Sequence, residues 1–278
     1  MPHPAIGDGR VAVITGAADG IGFAAARRLS GLGMTVVMAD NAAEKLAASA
    51  ASLGANALAY PLDVADRAAV ETFATHIRST VGPVSLLMNN AGRGGGGDAL
   101  SGPAGWDKVL AVNLIGVLNG VQAFVPAMID ASAPGVVINT GSKQGITQPP
   151  GDTAYNVSKA GVKALTEGLA HTLRQKAGGR ITAHLLIPGF TYTGMTARHL
   201  PQKPAVAWEP DQVIDVMLAG VERGDFYLWC LDNETSKATD AKRILWGAGD
   251  IIENRPALSR WHPDYKDEFA AFVADAEI

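Results

Sequence analysis

A run of apolar residues passes directly into a glycine-rich turn in the stretch VAVITGAADGIG, residues 11–22. An alanine-rich helical pattern follows to about Leu32, so the stretch predicts a buried strand, a tight turn and a helix. Glycines allow close backbone approach, and the N–H groups at a helix start favour a pyrophosphate. The spacing is T-G-x-x-x-G-x-G, which taken alone is weak evidence for a nucleotide site.

The rest of the chain repeats this alternation of strand and helix. Further strand-like runs cover residues 35–39, 57–62, 84–88, 136–138, 184–187 and 226–231, with helical patterns at 42–53 and 66–80. Seven such runs predict βαβ units, and hence a doubly wound parallel sheet with helices on both faces. We expect one domain over residues 1–278, with ligands at the carboxyl ends of the strands.

The composition narrows the class of protein. The chain has 278 residues, is 47% hydrophobic and 18% charged, and carries a net charge of −4, which excludes disorder as the main state. No Lys/Arg-rich run is present, so we expect no nucleic-acid partner. Cys230 is the only cysteine and the six histidines lack ligand spacing, so we predict no metal. Residues 1–9 lack a secretory signal and the apolar runs look strand-sized, so we expect a cytoplasmic protein without a membrane partner.

The predicted strand ends carry polar and small residues. Asp40 ends the second strand, where a carboxylate accepts hydrogen bonds from adenosine ribose hydroxyls and repels a 2′-phosphate. Positions 17, 18 and 41 hold no Arg or Lys, so the pattern favours NAD over NADP; the alternative for Asp40 is a solvated strand end. The predicted cofactor-binding residues of these turns are Gly16, Asp19, Gly20, Ile21, Gly22, Asp40, Asp63, Val64, Asn90, Ala91 and Gly92.

A tyrosine and a lysine lie four residues apart on a predicted helix. Tyr155 and Lys159 therefore share one face, although Y-x-x-x-K also occurs on ordinary helices. An ammonium about 5 Å from a phenol, at an effective dielectric of about 20, favours the phenolate by roughly 3 kcal/mol. That would lower a phenol pKa of about 10 by about two units, toward proton transfer near neutrality. Ser142, at a strand end, is expected to point into the same crevice.

In combination, these elements resemble the short-chain dehydrogenase/reductase family in its compact single-domain form. The resemblance spans roughly residues 8–231 and implies a Rossmann-like fold and a homodimer or homotetramer. Its one visible departure is Gly141-Ser142, where the family commonly has Ser-Ser. The matching elements are T-G-x-x-x-G-x-G at Thr15–Gly22, N-N-A-G at Asn89–Gly92, Asn113, Ser142, Y-x-x-x-K at Tyr155–Lys159 and P-G-x-x-x-T at Pro188–Thr193.

The resemblance also implies roles for the matching residues. Tyr155 would be the general acid/base, and Ser142 would hold the substrate oxygen. Lys159 would bind the nicotinamide ribose and lower the pKa of Tyr155. The backbone carbonyl of Asn113 would hold a water that links Lys159 to solvent. The nicotinamide carboxamide would be oriented by Pro188, Gly189, Thr191 and Thr193.

These roles predict an NAD-dependent enzyme that interconverts a secondary alcohol and a ketone by hydride transfer. The predicted lid, residues 190–210, carries aromatic and thioether side chains and no Arg/Lys cluster, which favours an apolar or aromatic substrate. His199 within it is either a substrate contact or a solvated loop residue. The alternatives are a non-catalytic dinucleotide-binding regulator and a 3-oxoacyl-type reductase. A sugar-nucleotide epimerase or dehydratase fits less well, because those relatives carry T-G-x-x-G-x-x-G.

Two expectations concern packing. The helices that bear Asn113 and Tyr155 should form subunit contacts through the small residues Gly116, Gly120, Ala154, Ala160 and Gly161. The C-terminal extension, residues 233–278, should form a helix with Pro263 in its first turn. Its apolar face would either close the substrate lid or cover its own core. That face consists of Tyr265, Phe269, Phe272, Val273 and Ala276.

Overall fold

A seven-stranded parallel sheet forms the centre of the protein, in a computed structural model that describes residues 3–197 and 200–275. The strand order is β3-β2-β1-β4-β5-β6-β7, with neighbouring strands parallel throughout. The predicted doubly wound fold is confirmed. The strands are β1 Val11–Thr15, β2 Thr35–Asp40, β3 Ala57–Pro61, β4 Val84–Asn89, β5 Gly135–Thr140, β6 Ile181–Ile187 and β7 Tyr227–Trp229.

Helices cover both faces of the sheet. The helices are α1 Gly20–Gly31, α2 Ala43–Leu53, α3 Arg67–Thr80, α4 Pro103–Leu110, α5 Gly116–Asp130, α6 Gln144–Thr147, α7 Thr153–Ala177, α8 Gly194–Ala197, α9 Pro210–Arg223, α10 Lys237–Ile252 and α11 Lys266–Ala274. Side chains of α1, α2 and α9 form one large core, those of α3, α5 and α7 form a second, and a smaller cluster joins α5 and α7 to β6. Successive side chains along a strand point to opposite faces of the sheet, so Ile14 packs in the first core and Val13 in the second.

The switch point of the sheet lies between β1 and β4, which pair with each other although β2 and β3 intervene in sequence. The chain leaves β1 toward α1 on one face and leaves β4 toward α4 on the opposite side. This divergence opens a crevice at the carboxyl ends of the two strands, which is where ligands bind in open parallel sheets. The fold therefore brings the glycine-rich turn and the N-N-A-G segment to one place.

A continuous helix of 28 residues, Pro103–Asp130, includes a π-helical stretch at Ala111–Ile115. An 18-residue window within it has a mean hydropathy of 1.7, so by length and composition this helix could cross a membrane. The expectation that all apolar runs are strand-sized is therefore wrong. Half of that window is buried in the fold, and α5 packs against α3 and α7, as a core helix does.

The small residues on α5 and α7 have partners within the same chain. A Cβ at Gly116 would lie 2.7 Å from Val64 Cγ2, and one at Gly161 would lie 2.9 Å from Leu114 Cδ2. Ala154 packs in the same way, since a Cβ at Gly96 would overlap Ala154 Cβ. The packing of a single chain thus accounts for these small side chains, and they give no support to the expected subunit interface. The homodimer or homotetramer stays a prediction.

The C-terminal extension folds on itself. Pro263–Tyr265 is a 3₁₀ turn, so α11 begins at Lys266, later than Pro263 predicts. Phe269 and Phe272 each place their ring centroids 5.3 Å from that of Trp246 in α10, so the apolar face of α11 covers its own chain. Ala276 lies outside the described residues. The extension does reach the 190–210 segment at another point, where the backbone and side chain of Asn233 donate to carbonyls of residues 206 and 205 at 3.0 and 2.8 Å.

Two helical glycines allow a matched test of this packing. A Cβ at Gly120 would overlap Asn89 Oδ1 inside the core, whereas one at Gly168 would meet nothing within 4 Å. We expect Gly120→Ala to lower the free energy of unfolding by about 1–3 kcal/mol, because of overpacking. We expect Gly168→Ala to raise it by up to about 1 kcal/mol through helix propensity. Urea unfolding of both variants measures the difference, and equal effects would contradict this account of α5.

Candidate active site

The glycine-rich turn is held against β4 by close backbone packing. Gly16 and Gly20 adopt φ angles of +66° and +54°, which favour glycine. A Cβ at Gly16 would lie 2.7 Å from Ala91 Cα, so a larger residue would push the N-N-A-G segment away. Asn90 Nδ2 donates to the carbonyl oxygens of Thr15 and Gly16 at 3.2 and 3.3 Å. The predicted residues of these two turns are therefore brought together, and Asn90 braces the turn through its side chain.

The side chain of Thr15, which the sequence analysis did not single out, completes this brace. Its Oγ1 accepts hydrogen bonds from the backbone N–H groups of Asn90 and Ala91 at 3.0 and 3.1 Å. The signal for it was present in the sequence, since a threonine at the last position of a strand places a hydroxyl at the strand end. Thr15 thus joins the ends of β1 and β4.

Asp40 lies at the edge of the same turn. Its Oδ2 accepts from the backbone N–H of Ala18 at 3.1 Å, and its Oδ1 accepts from that of Ala42 at 3.0 Å. The carboxylate is thus fixed beside the glycine-rich turn and is not a freely solvated strand end. Because a carboxylate has about four acceptor positions, each oxygen retains capacity for a further donor.

A lysine that the sequence analysis missed lies close by. Lys45 Nζ on α2 forms an ion pair with Asp19 Oδ2 at 2.5 Å, and Asp19 Oδ1 caps α1 by accepting from the N–H of Gly20 at 2.6 Å. Positions 17, 18 and 41 carry no cation, but α2 brings Lys45 back to the turn from further along the chain. The cation is therefore present but already paired with a carboxylate.

Three further predicted cofactor residues, Ile21, Asp63 and Val64, are each held by contacts with the rest of the fold. Asp63 Oδ1 accepts from the N–H of Ala65 at 2.9 Å, and the carbonyl of Val64 accepts from Asn119 Nδ2 at 2.9 Å. Ile21 is partly buried against the core of α1 and α9. The end of β3 is thereby joined to α5 near the crevice.

The segment after β6 begins at the same crevice, and backbone hydrogen bonds join its beginning to its end. Tyr192 N–H donates to the carbonyl of Trp208, and Trp208 N–H donates to that of Phe190, both at 2.9 Å. Thr193 lies over the glycine-rich turn, since a Cβ at Gly20 would be 3.0 Å from Thr193 Cβ. Thr191 Oγ1 donates to the carbonyl of Gly189 at 3.2 Å. Arg198 and His199 lie outside the described residues, so the choice between the two interpretations of His199 stays open.

Ser142, Tyr155 and Lys159 come together from β5 and α7. Asp152 caps α7 by accepting from the N–H of Tyr155 at 3.1 Å. Lys159 Nζ donates to the carbonyl of Thr140 at 2.8 Å and lies 5.7 Å from the ring centroid of Tyr155. Ser142 Oγ, just beyond β5, accepts from the N–H of Gln144 at 3.1 Å. Because Tyr155 also forms a hydrogen bond with Ser142, the phenol, hydroxyl and amine lie together, as the sequence analysis expected.

The pKa of the phenol does not follow the prediction. Burial raises the pKa of Tyr155; the hydrogen bond with Ser142 lowers it and the charge of Asp152 raises it, and the net pKa lies above the ordinary value of 10.0. The net lowering predicted from the charge of Lys159 is wrong for this structure, because burial removes the phenolate from water and disfavours it. Burial also lowers the pKa of Lys159 from 10.5 to about 8.

Asn113 lies in the π-helical stretch and is fully buried. Its Oδ1 accepts from the N–H of Arg93 at 2.8 Å, and its Nδ2 donates to the Arg93 carbonyl at 2.8 Å and to Ser158 Oγ at 3.0 Å. The resemblance implied a role for its backbone carbonyl; the structure adds that its side chain fixes the segment beyond Gly92. π-Turns within α-helices are frequent at functional sites.

Over residues 3–197 and 200–275, no group of three or more His, Cys, Asp or Glu could hold a metal ion.

The lowered pKa of Lys159 makes stability depend on pH. Between about pH 8 and 10.5 the unfolded chain binds a proton that the folded chain does not, so stability rises with pH. We expect wild type to gain about 2 kcal/mol relative to Lys159→Met between about pH 7 and about pH 9.5. Urea unfolding at both pH values measures this gain. The exposed Lys176→Met on the same helix should show no such gain, and a pH-independent difference for Lys159→Met would contradict the lowered pKa.

Comparison with known proteins identifies the family of the chain. A family model described as short chain dehydrogenase matches residues 10–204. The 3-oxoacyl-[acyl-carrier-protein] reductase FabG of Thermotoga maritima is 38% identical over 202 residues, covering 70% of this chain and 79% of that protein. A short chain dehydrogenase/reductase from Burkholderia phymatum in complex with NAD has a TM-score of 0.80 at 31% identity, covering 90% of this chain and 96% of that one. A metagenomic short-chain oxidoreductase in complex with NADP has a TM-score of 0.65 at 35% identity, covering 78% and 91%. The chain therefore belongs to the short-chain dehydrogenase/reductase family of oxidoreductases.

Proposed function

We propose that this protein is an NAD-dependent oxidoreductase that interconverts a secondary alcohol and a ketone. The observation that carries the proposal is the meeting of Ser142, Tyr155 and Lys159 beside the glycine-rich turn. A non-catalytic regulator on the same fold would need none of the three. It would gain nothing from a buried lysine whose pKa is lowered to about 8, since burying an amine costs stability and the hydrogen bond to the Thr140 carbonyl compensates only part of that cost.

The residues present fit a dinucleotide. Side chains at Gly16 or Gly20 would fill the space beside Ala91 and Thr193, so the turn keeps a cradle of bare backbone at the start of α1. Such a helix start favours a pyrophosphate, and Asp40 has acceptor capacity left for ribose hydroxyls. The nicotinamide, when bound, would supply or accept the hydride.

The choice of NAD rests on charge. Asp40 would repel a 2′-phosphate, and the nearby cation, Lys45, is already neutralised by Asp19 at 2.5 Å. Among the related structures, the Burkholderia phymatum protein is in complex with NAD and the metagenomic one with NADP, so the family includes both choices. The electrostatics of this chain favour NAD.

In the proposed reaction, side chains of this protein would donate and accept the proton that accompanies the hydride. In ketone reduction, Tyr155 would donate its proton to the developing alkoxide while Ser142 holds the substrate oxygen. The raised pKa of Tyr155 keeps this proton in place near neutrality. In the reverse direction Tyr155 would accept the alcohol proton, and Lys159 would stabilise the phenolate that must form first. A water on the Asn113 carbonyl would connect Lys159 to solvent.

The substrate side of the site favours an apolar molecule. The described part of the 190–210 segment presents half-exposed Met195 and Leu200. Its lysine, Lys203, is paired with Glu209 at 2.7 Å and so is not free to bind an anion. We therefore propose an apolar or aromatic alcohol as the substrate class, with the 190–210 segment as a lid.

One observation favours a second candidate, a 3-oxoacyl-type reductase. Arg93 is exposed at the rim of the crevice, and its guanidinium pairs with no carboxylate of the described residues. A free cation there could contact an anionic carrier, as in the function that the name of the Thermotoga maritima relative states. NADH production from a panel of secondary alcohols, beside NADH or NADPH consumption with a 3-oxoacyl thioester, distinguishes the two candidates.

Tyr155→Phe tests the proposed chemistry. We expect kcat on the best alcohol of the panel to fall by at least about 100-fold, because the transferable proton is lost. The dissociation constant of NADH, measured by fluorescence, should change by less than about threefold, since uniform cofactor binding does not use that proton. If the variant retains more than a few per cent of wild-type turnover, Tyr155 is not the acid/base.

Asp40 tests the choice of cofactor. We expect wild type to show a higher kcat/KM with NAD than with NADP. Asp40→Ala should reduce the ratio of the two values by about tenfold or more, about 1.4 kcal/mol, because the repelling carboxylate is removed. Glu71→Ala, on the exposed face of α3, is the matched control and should leave the ratio unchanged. An NADP preference in wild type would refute the assigned role of Asp40.

A further inference from the structure

Lys143, which follows Ser142 directly, has its amine inserted between two carboxylates. Its Nζ lies 3.1 Å from Asp232 Oδ2 and 2.6 Å from Asp240 Oδ2, and its side chain is 12% exposed. The Asp232 and Asp240 side chains are 11% and 2% exposed. An amine that contacts two carboxylates is not available to bind a substrate anion. We therefore expect Lys143 to have a structural role.

Both carboxylates come from the chain beyond β7 and are themselves held in place. Asp240, in the first turn of α10, also accepts from Trp229 Nε1 at 3.1 Å and from Arg243 Nη1 at 3.4 Å. Asp232 Oδ1 accepts from the N–H of Thr235 at 2.8 Å. The two aspartates are paired with Lys143 and Arg243, so the cluster is an internally hydrogen-bonded anchor rather than an ion-binding site.

The backbone of Lys143 contacts the loop that follows β6. Its N–H donates to the carbonyl of Pro188 at 3.2 Å. A Cβ at Gly189 would lie 3.0 Å from Asp232 Oδ2 and 2.6 Å from the carbonyl oxygen of Leu231, so this loop is pressed against the same cluster. The anchor thus connects the turn of Ser142 with the loop proposed to orient the nicotinamide.

The same lysine starts the short helix that packs on Lys159. The carbonyl of Lys143 accepts from the N–H and the Oγ1 of Thr147 at 2.9 and 3.1 Å, which closes α6. Within α6, a Cβ at Gly145 would lie 2.5 Å from the backbone carbon of Lys159. Displacement of Lys143 would therefore move the Ser142 turn relative to α7.

We propose that Lys143 is a positioning residue, and that its ion pairs with Asp232 and Asp240 let the chain beyond β7 fix the Ser142 hydroxyl against Tyr155. This inference rests on the proposed function for its effect on turnover. It goes beyond that function by giving α10 a part in the site. The carboxylates supplied by the loop after β7 and by α10 replace the solvation that the amine loses, and the cluster holds the turn in one geometry.

Lys143→Met and Asp240→Asn test the proposal. We expect each to lower kcat about 10-fold to 100-fold, because small displacements of a positioned group are costly in rate. Lys143→Arg, which keeps the charge, should recover part of the loss. The pKa of Tyr155, read from tyrosinate absorbance by subtracting the titration of Tyr155→Phe, should rise in both variants, because contact with Ser142 lowers it in wild type. Lys237→Met, an exposed lysine of α10, is the matched control and should change neither quantity.

The two readouts separate this proposal from the proposed function. A shifted Tyr155 titration in a protein that oxidises no alcohol would support the positioning role and refute the function. A folded Lys143→Met protein with wild-type kcat and an unchanged Tyr155 titration would overturn the positioning role, as would a loss of melting temperature alone. If Lys143→Met does not fold, Asp240→Asn decides by the same criteria, since asparagine retains an acceptor for Trp229 and leaves Lys143 paired with Asp232.

Discussion

The hydrogen bonds of Thr15 and Asn90 across the ends of β1 and β4 are the constraint on which the crevice depends. They hold the glycine-rich turn against Ala91, so tightly that a Cβ at Gly16 would lie 2.7 Å from Ala91 Cα. This contact sits at the switch point, where the two chain directions diverge. Each proposed reactive group lies on an element that begins at this switch point or faces it.

The strands and the meeting of the reactive groups could be predicted from the sequence because both depend on local pattern. A β-branched run specifies a strand, and an i,i+4 pair specifies a shared helix face. The pKa of Tyr155 could not be predicted, because desolvation depends on what surrounds the ring in three dimensions. The pairing of Lys45 with Asp19 and the packing of Gly161 on Leu114 were missed for the same reason, since each joins separate elements.

Small residues illustrate how one pattern supports two structures. A glycine on a helix face permits close packing equally well against the same chain or another. In this chain Val64 and Leu114 occupy the space next to Gly116 and Gly161, so within one subunit the pattern is already explained. The apolar face of α11 is explained in the same way, by Trp246. An interaction surface must be argued from what remains exposed after the chain has folded.

The two buried lysines of the site differ in how their charge is compensated, and this difference suits different tasks. Lys143 contacts two carboxylates, which hold its side chain in place so that it joins segments of backbone. Lys159 contacts a carbonyl oxygen, and burial lowers its pKa to about 8. A carbonyl dipole compensates less of the lost hydration than a full negative charge does. The fold therefore keeps the proton of the second amine exchangeable, which is the property that a group beside Tyr155 requires if protons are to pass between the site and solvent.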